Sequence, residues 1–405
     1  MKPELVWLPD IESEYLLACL LRRLRPDAPV TVLAAPALAH IVERAAAGVS
    51  RPNVRPVAVT PGDPLPDAVA AIRAPDCVPR VMVPASLDQV PMRYRPALMP
   101  EVATHYPWIR QLWSWGFREI AFVGHGEEHV LSVPFLLDAF RDRHEGQRCF
   151  VLGNGPSLNA IDMARLKNEI TLGSNRCFLG YEQWGFPCTY WGVYDKYQIE
   201  QYHLEYEAGV PHDTIKFFPA EYLPVLRIAN GCPVNSVWPT GVPRAFSADP
   251  AQTFVGFTVS YMLIQIAACM GCDPIILVGM DHRYELDRRG YVRALRSARR
   301  AAARQLRGGR VYGVANAAWR AWRKGGGPAP DPALWSTENA SAPTHFTERY
   351  TAGGKNRFLP PEPEEAERDF DCAQAWAASN GRRILNATPG TALESFPKAD
   401  FDSLF

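Results

Sequence analysis

Residues Cys149 to Asn175 read CFVLGNGPSLNAIDMARLKNEITLGSN. A β-rich apolar run, Cys149-Phe150-Val151-Leu152, breaks into Gly153-Asn154-Gly155-Pro156-Ser157. A helix-like stretch follows, and then a second strand, Ile170 to Gly173, ends at Ser174-Asn175. Strand, glycine turn, helix and strand in this order form the half-Rossmann arrangement that grips a phosphate-bearing ligand, because glycines let the backbone approach an anion and the helix start offers unpaired N–H groups. The N–H groups of Gly155 to Leu158, with the Ser157 hydroxyl, are the expected phosphate cradle; Ser157 also suits a helix N-cap. No Lys-Ser/Thr pair follows the glycines, so the turn is not a P-loop.

Further along, apolar strands keep alternating with helical segments, which predicts a doubly wound, mostly parallel, Rossmann-like α/β sheet. Thr189 to Tyr194 reads as a strand ending at Asp195, Gly256 to Met270 as a helix, and Pro274 to Val278 as a buried strand ending in Gly279-Met280-Asp281-His282. Asp371 to Ser379 reads as a helix, and Arg383 to Leu385 as a late strand that hands on to Asn386-Ala387-Thr388. Ligands of open α/β sheets collect at the carboxyl ends of the strands. Here those ends carry small, amide or acidic residues: Gly153 to Ser157, Asn175, Asp195, Gly279, Asp281, His282 and Asn386 to Thr388. Asp281 is a candidate catalytic residue, suited to a ribose hydroxyl, a sugar or a metal; the alternative is the cap of the next turn. Asp195 beside it would make a carboxylate pair able to hold Mg²⁺ next to a diphosphate.

Residues 1–146 read as a separate α/β domain: a strand at Leu5 to Leu8, a helix from Glu12 to Arg25, a strand at Val30 to Leu33, a helix from Ala37 to Ala47, and a strand from Arg118 to Val123 that closes on Gly124-His125-Gly126. Arg141 to Arg148 is a polar linker, and residues 147–405 form the second domain. With 405 residues, 47% of them hydrophobic, the chain can bury two cores. The 43 basic and 43 acidic residues balance, so the overall field argues neither for nor against a nucleic-acid partner; the motifs point to a small nucleotide ligand, and no nucleic acid is expected. Met1-Lys2-Pro3-Glu4 leads into no long apolar run, so no signal peptide is expected, and nine scattered cysteines suit reduced thiols in the cytoplasm. The charge-free stretch Ala251 to Cys272 carries Gln252, Thr253, Thr258, Ser260 and Gln265, and reads as a buried helix rather than a membrane span.

GNGPSLNAIDMARLKNEITLGSNRCFL, PCTYWGVYD, GFTVSYMLIQIAACMGCDPIILVGMDHRY, THFTERY and the terminal RILNATPGTALESFPKADFDSLF together span nearly all of 149–405. This set resembles the bacterial proteins that share a domain with the MptE-like 6-hydroxymethylpterin diphosphokinases, many of which lie with surface-polysaccharide functions. More distantly it is similar to the small bacterial sialyltransferases that use CMP-sialic acid. That likeness implies a nucleotide site at Gly153, Asn154, Gly155, Pro156, Ser157 and Asn175, a phosphate or ribose contact at Thr258, and a general base at His345. It implies a glycosyltransferase taking a nucleotide-sugar donor, such as a CMP-sugar, and a surface-glycan or lipid-linked acceptor. The first resemblance implies instead a pterin pyrophosphokinase that uses ATP and Mg²⁺; a non-catalytic nucleotide-binding module is the third reading.

His345 sits in Pro343-Thr344-His345-Phe346, where an imidazole would take the proton of a sugar hydroxyl attacking an anomeric carbon. Between Asp281 and His345 lies an arginine-rich insertion, about 283–344. Arg293, Arg296, Arg300, Arg304 and Arg307 recur there at helical spacing. It reads as a basic lid with Gly325-Gly326-Gly327-Pro328 as its hinge, or as a peripheral contact of segment 288–324 with the inner face of the membrane.

Overall fold

The structure, a computed structural model, describes residues 4–8, 14–60, 62–64, 66–70, 80–84, 109–123, 128–133, 135–222, 226, 228–237, 244–283, 344–350 and 362–405. The expectations for Gly124-His125-Gly126, for the basic segment 288–324 and for the 325–328 hinge lie outside those residues.

β1 (Glu4–Leu8), β2 (Val30–Ala34), β3 (Val54–Ala58), β4 (Arg80–Pro84), β5 (Glu119–Val123) and β6 (Glu128–Ser132) form one sheet in the order β3-β2-β1-β4-β5-β6. Its pairs are parallel except β5 with β6. The amphipathic helices α1 (Glu14–Arg23) and α2 (Ala39–Gly48) cover one face, burying Leu17, Leu20, Ile41 and Val42 with Val6 and Val32 of the strands.

The second sheet contains β7 (Cys149–Leu152), β8 (Ile170–Ser174), β9 (Tyr190–Gly192), β10 (Ile215–Pro219) and β11 (Gly231–Val234). A short parallel pair, β12 (Ser236–Val237) and β13 (Thr253–Phe254), stands apart from it. β14 (Ile275–Val278) and β15 (Ile384–Asn386) complete the order β11-β10-β9-β8-β7-β14-β15, and every pair is parallel. The chain enters at β7, winds outward to β11, then returns to β14 on the other side of β7. The crossovers from β7 and β14 therefore leave in opposite directions, and a crevice opens between their carboxyl ends.

Three helices matter here: α3 (Lys196–Gly209), α4 (Val259–Cys269) and α5 (Pro363–Ser379). Strand alternation sorts the core into two layers. Cys149 and Val151 of β7 pack on the side of α4 and α5, whereas Phe150 and Leu152 pack with Tyr202 and Tyr206 of α3. The sheet is doubly wound, as the sequence pattern indicates. α5 starts eight residues before the expected Asp371, because Pro363 fits the first helical position and Glu364 and Glu365 favour the positive helix end. The expected helix after the glycine turn is instead two short 3₁₀ turns, Pro156–Ala160 and Met163–Leu166. Asp162 breaks them by accepting from the Ala164 N–H at 3.1 Å, a local bond that competes with helix continuation. Nor is the expected 141–148 linker loose: the N–H groups of Asp142, His144 and Gly146 donate to the carbonyls of Cys269, Met270 and Gly271 at the end of α4.

Every residue of α4 is buried, and among the described residues no helix is long and apolar enough to cross a membrane. Its one amide, Gln265, is 1% exposed. Its Oε1 accepts the N–H of Phe254 at 2.9 Å, and its Nε2 donates to the Phe254 carbonyl at 2.6 Å, so α4 is sewn to β13. Replacing Gln265 by Leu keeps the volume but removes the partner of both backbone groups of half-buried Phe254. The variant is expected to lose roughly 2–4 kcal/mol in urea unfolding, despite being more apolar; unchanged stability would refute this role.

Candidate functional site

The crevice between β7 and β14 is built by close backbone packing. Gly153 N–H donates to the Val278 carbonyl at 2.8 Å, and Gly155 N–H donates to the Gly279 carbonyl at 3.0 Å. A Cβ on Gly153 would lie 2.1 Å from the Gly279 oxygen, and one on Gly155 would lie 1.7 Å from Asp281 Oδ2. The glycines are thus required by the neighbouring strand end. Asp281 closes the start of the 3₁₀ turn: Ser157 N–H donates to Oδ1 at 3.2 Å and Ser157 Oγ to Oδ2 at 2.6 Å. Leu158 N–H is held by the Gly155 carbonyl at 3.2 Å, and Pro156 has no N–H. The cradle expected over Gly155 to Leu158 is therefore already filled, by a protein carboxylate where a phosphate was anticipated. Burial pushes the Asp281 carboxyl up, against the hydrogen bonds from Ser157 and the charge of Arg283.

An open cleft of ≈ 180 Å³ lies at this strand edge. That is below the several hundred Å³ of a typical small-molecule pocket, so it fits part of a larger ligand. Gly153, Asn154, Gly155 and Asn175 line it on the β7–β8 side, Gly279, Asp281 and His282 on the β14 side, and Thr258 and His345 complete it. Nine of the twelve expected site residues thus converge. Pro156 and Ser157 stand behind Asp281, outside the lining. Asp195 is not part of it either: its carboxylate caps α3, accepting the Tyr197 N–H at 2.7 Å and the Gln198 N–H at 3.2 Å. Asp195 thus stands outside the lining that holds Asp281, and no cluster of three His, Cys, Asp or Glu side chains suited to a metal occurs among the described residues.

Two lining residues hold left-handed backbone, Asn175 (φ 49°) and His282 (φ 54°). Asparagine tolerates this region, whereas a histidine there is held by its surroundings. His282 Nε2 lies 3.0 Å from the Pro363 carbonyl and 3.1 Å from Glu367 Oε2, which ties the strand end to α5. Thr388 and Thr391, beyond β15, hold the same turn from behind through the Met280 N–H (3.0 Å) and carbonyl (2.6 Å). Asn154 Nδ2 donates to Ser174 Oγ at 3.0 Å, and the Asn175 side chain hydrogen-bonds the Tyr350 phenol. The two Oδ1 atoms of Asn154 and Asn175 are buried without a hydrogen-bond partner. A buried, unpaired acceptor costs free energy, so a turn of either side chain that brings its oxygen to a hydrogen-bond donor of a ligand is favoured.

His345 reaches the cleft because its segment zips onto the glycine turn. Phe346 N–H donates to the Asn154 carbonyl at 3.0 Å, Asn159 Nδ2 donates to the Phe346 carbonyl at 2.8 Å, and the Phe346 ring packs on Trp184. The imidazole stacks on Tyr350 with ring centroids 3.8 Å apart, and its Nδ1 lies 2.8 Å from Thr344 Oγ1. Arg176 donates to the Tyr350 carbonyl and to Glu205 Oε2 at 2.7 Å, and its guanidinium lies over the Tyr202 ring. Burial first, and the Arg176 charge second, push the His345 imidazole down to about 3, so it is neutral at neutral pH.

The remaining wall is the N-terminus of α4, where Thr258 Oγ1 accepts the Ser260 N–H at 3.4 Å. Arg283 also lines the cleft, as does Glu362, whose carboxyl is pushed up by burial and by Glu365. An anion is favoured at this helix start. Sequence reasoning missed Phe257, Tyr350 and Glu362 among the lining residues. Tyr350 was within reach, since it closes the THFTERY motif with His345; nothing in the sequence marks Glu362.

The chain matches no protein-family model and no curated protein. Among solved structures it is similar to the MAf glycosyltransferase from Magnetospirillum magneticum AMB-1, over 99% of this chain and 58% of that one, with 10% identity and a TM-score of 0.36. The chain spans little more than half of that protein's length. The α/β, Rossmann-like assignment rests on this chain's own strand order and crevice.

The depressed imidazole has a stability consequence. Because the folded state excludes a proton that the unfolded chain accepts near pH 6.5, this contribution is complete above pH 6.5 and is lost as pH falls toward about 3. Between pH 6 and 4, unfolding free energy should fall more steeply in the parent protein than in His345→Gln, by up to about 1.4 kcal/mol per pH unit. Asp281 and Glu362, shifted the opposite way, are present in both proteins and cancel in the difference. Parallel profiles would show that the imidazole is not held neutral.

Proposed function

We propose that this chain is a glycosyltransferase whose donor is a nucleotide-activated sugar, a CMP-sugar being the first candidate. The observation that carries the reading is the convergence, on one cleft at a topological switch point, of a neutral imidazole, two unpaired amide oxygens, a helix N-terminus and an arginine. Acceptor oxygens of Asn154 and Asn175 suit sugar or ribose hydroxyls. The α4 start at Thr258 to Ser260, with Arg283, suits the phosphate, which moves the anion seat away from the glycine turn.

In the reaction, an acceptor hydroxyl attacks the anomeric carbon while His345 takes its proton. The bond from the anomeric carbon to the phosphate oxygen breaks, and its electron pair stays on the phosphate, where the positive end of α4 and Arg283 offset the charge. An imidazole pushed down to about 3 by burial and by Arg176 is by itself a weak base. A phosphate seated nearby would counter the Arg176 charge and raise its affinity for the proton. Asp281, engaged by Ser157, holds the wall of the cleft and faces the ligand as an acceptor. A glycan or lipid-linked acceptor and a cytoplasmic setting belong to the same proposal.

His345→Ala is expected to lower transfer by at least ~100-fold, with nucleotide affinity retained, measured by donor turnover and by calorimetry on one preparation. Turnover that survives would remove His345 as the base. Release of AMP from ATP in the presence of a pterin alcohol would favour the diphosphokinase reading, with its Mg²⁺, over glycosyl transfer.

A further inference from the structure

Phe257 is a large hydrophobic residue that stays 38% exposed while lining the cleft. Leaving an aromatic ring in water at the edge of a polar cleft gains nothing for folding, and the ring is nevertheless fixed in place. Its N–H donates to Asp369 Oδ2 at 2.8 Å, and Asp369 is itself 3% exposed. Gly256, just before it, packs so closely that a Cβ would lie 2.6 Å from the same carboxylate oxygen. The Arg244 guanidinium lies 5.3 Å from the Phe257 ring centroid and is anchored by Asp369 at 2.6 Å and by Glu365. A buried carboxylate therefore fixes both the backbone that carries the ring and the cation on the ring. Thr258, the next residue, caps α4 at the anion-favouring end of the cleft.

We propose that Phe257 is a stacking shelf that holds the planar base of the donor nucleotide. This rests on the nucleotide-sugar reading above and adds to it a base subsite. The placement follows from polarity along the cleft. Asn154 and Asn175 serve hydroxyls at one wall and the α4 start serves a phosphate. The flat, exposed ring next to that helix start offers an apolar face to the one part of a nucleotide that has a flat apolar face. With the guanidinium over one side, the other side of the ring is the stacking surface. Stacking on a pre-positioned ring needs no base-edge hydrogen bonds, so the shelf gives affinity, and discrimination among bases falls to other residues.

The test compares ligands that differ only in the base. Affinities of CMP, UMP, GMP and AMP, and of ribose 5-phosphate, are measured by calorimetry for the parent protein, Phe257→Ala and Phe257→Trp. For the best-bound nucleotide, Phe257→Ala should weaken binding about 10-fold or more, ribose 5-phosphate should bind all three proteins alike, and Phe257→Trp should restore nucleotide affinity. Nucleotide binding that ignores Phe257→Ala, or an equal loss for ribose 5-phosphate, would overturn the shelf and leave the nucleotide reading standing. Failure of every nucleotide to bind the parent protein would overturn both.

Discussion

The carboxylate of Asp281, gripped by the backbone and hydroxyl of Ser157, joins the two strand ends on which the cleft depends. Hydrogen bonds to a charged group contribute about 1.5–3 kcal/mol each, and these two span the point where the sheet reverses its winding. The same contact explains the glycines. Gly153 and Gly155 lie so close to Gly279 and Asp281 that no side chain fits between the loops. Once β7 and β14 are locked this way, Asn154 and Asn175 stand on one side, His282 and Arg283 on the other, and the floor of the crevice is set.

A second network aims the imidazole. Arg176, packed among Tyr202, Glu205 and Tyr350, holds the backbone of Tyr350, and Tyr350 stacks on His345. One cation thus acts twice, fixing the ring and disfavouring its protonation. The cost of burying Arg176 is offset by its ion pair with the half-exposed Glu205 and by the Tyr350 carbonyl. On the proposed reading, an anionic ligand would change this balance and couple proton affinity at His345 to occupancy of the cleft.

Much of this architecture was legible in the residues. The runs at Cys149, Ile170 and Pro274, each ending in small or polar residues, located β7, β8 and β14 and hence the crevice. What the glycines were for was not legible: a tight turn around a phosphate and a tight fit against another strand need the same residue. Asp195 had the position of a ligand, but it caps α3, a task that also favours aspartate at that place. α3 was missed because its buried face mixes Gln198 and His203 with Ile199, Tyr202 and Tyr206 while Leu204 is exposed, which blurs the apolar periodicity. β10 was hidden by Lys216, an interior lysine whose ammonium is satisfied by the carbonyls of Pro211, Thr214 and Ala229. β11 carries Pro233, which an edge strand tolerates. For the glycines a strand end remote in sequence decides the outcome, which a single-sequence pattern does not show; for Asp195 and Lys216 the partners are near neighbours whose bonds depend on the local fold.

The most direct measurement is a crystal structure of the protein with a non-transferable nucleotide-sugar analogue. The expected density puts the phosphate against the start of α4 near Thr258 and Arg283, with sugar or ribose hydroxyls on the amide oxygens of Asn154 and Asn175, and leaves the Ser157–Asp281 contact intact. A phosphate seated in the Gly153–Ser157 turn with Asp281 displaced, or an analogue bound away from His345, would contradict it.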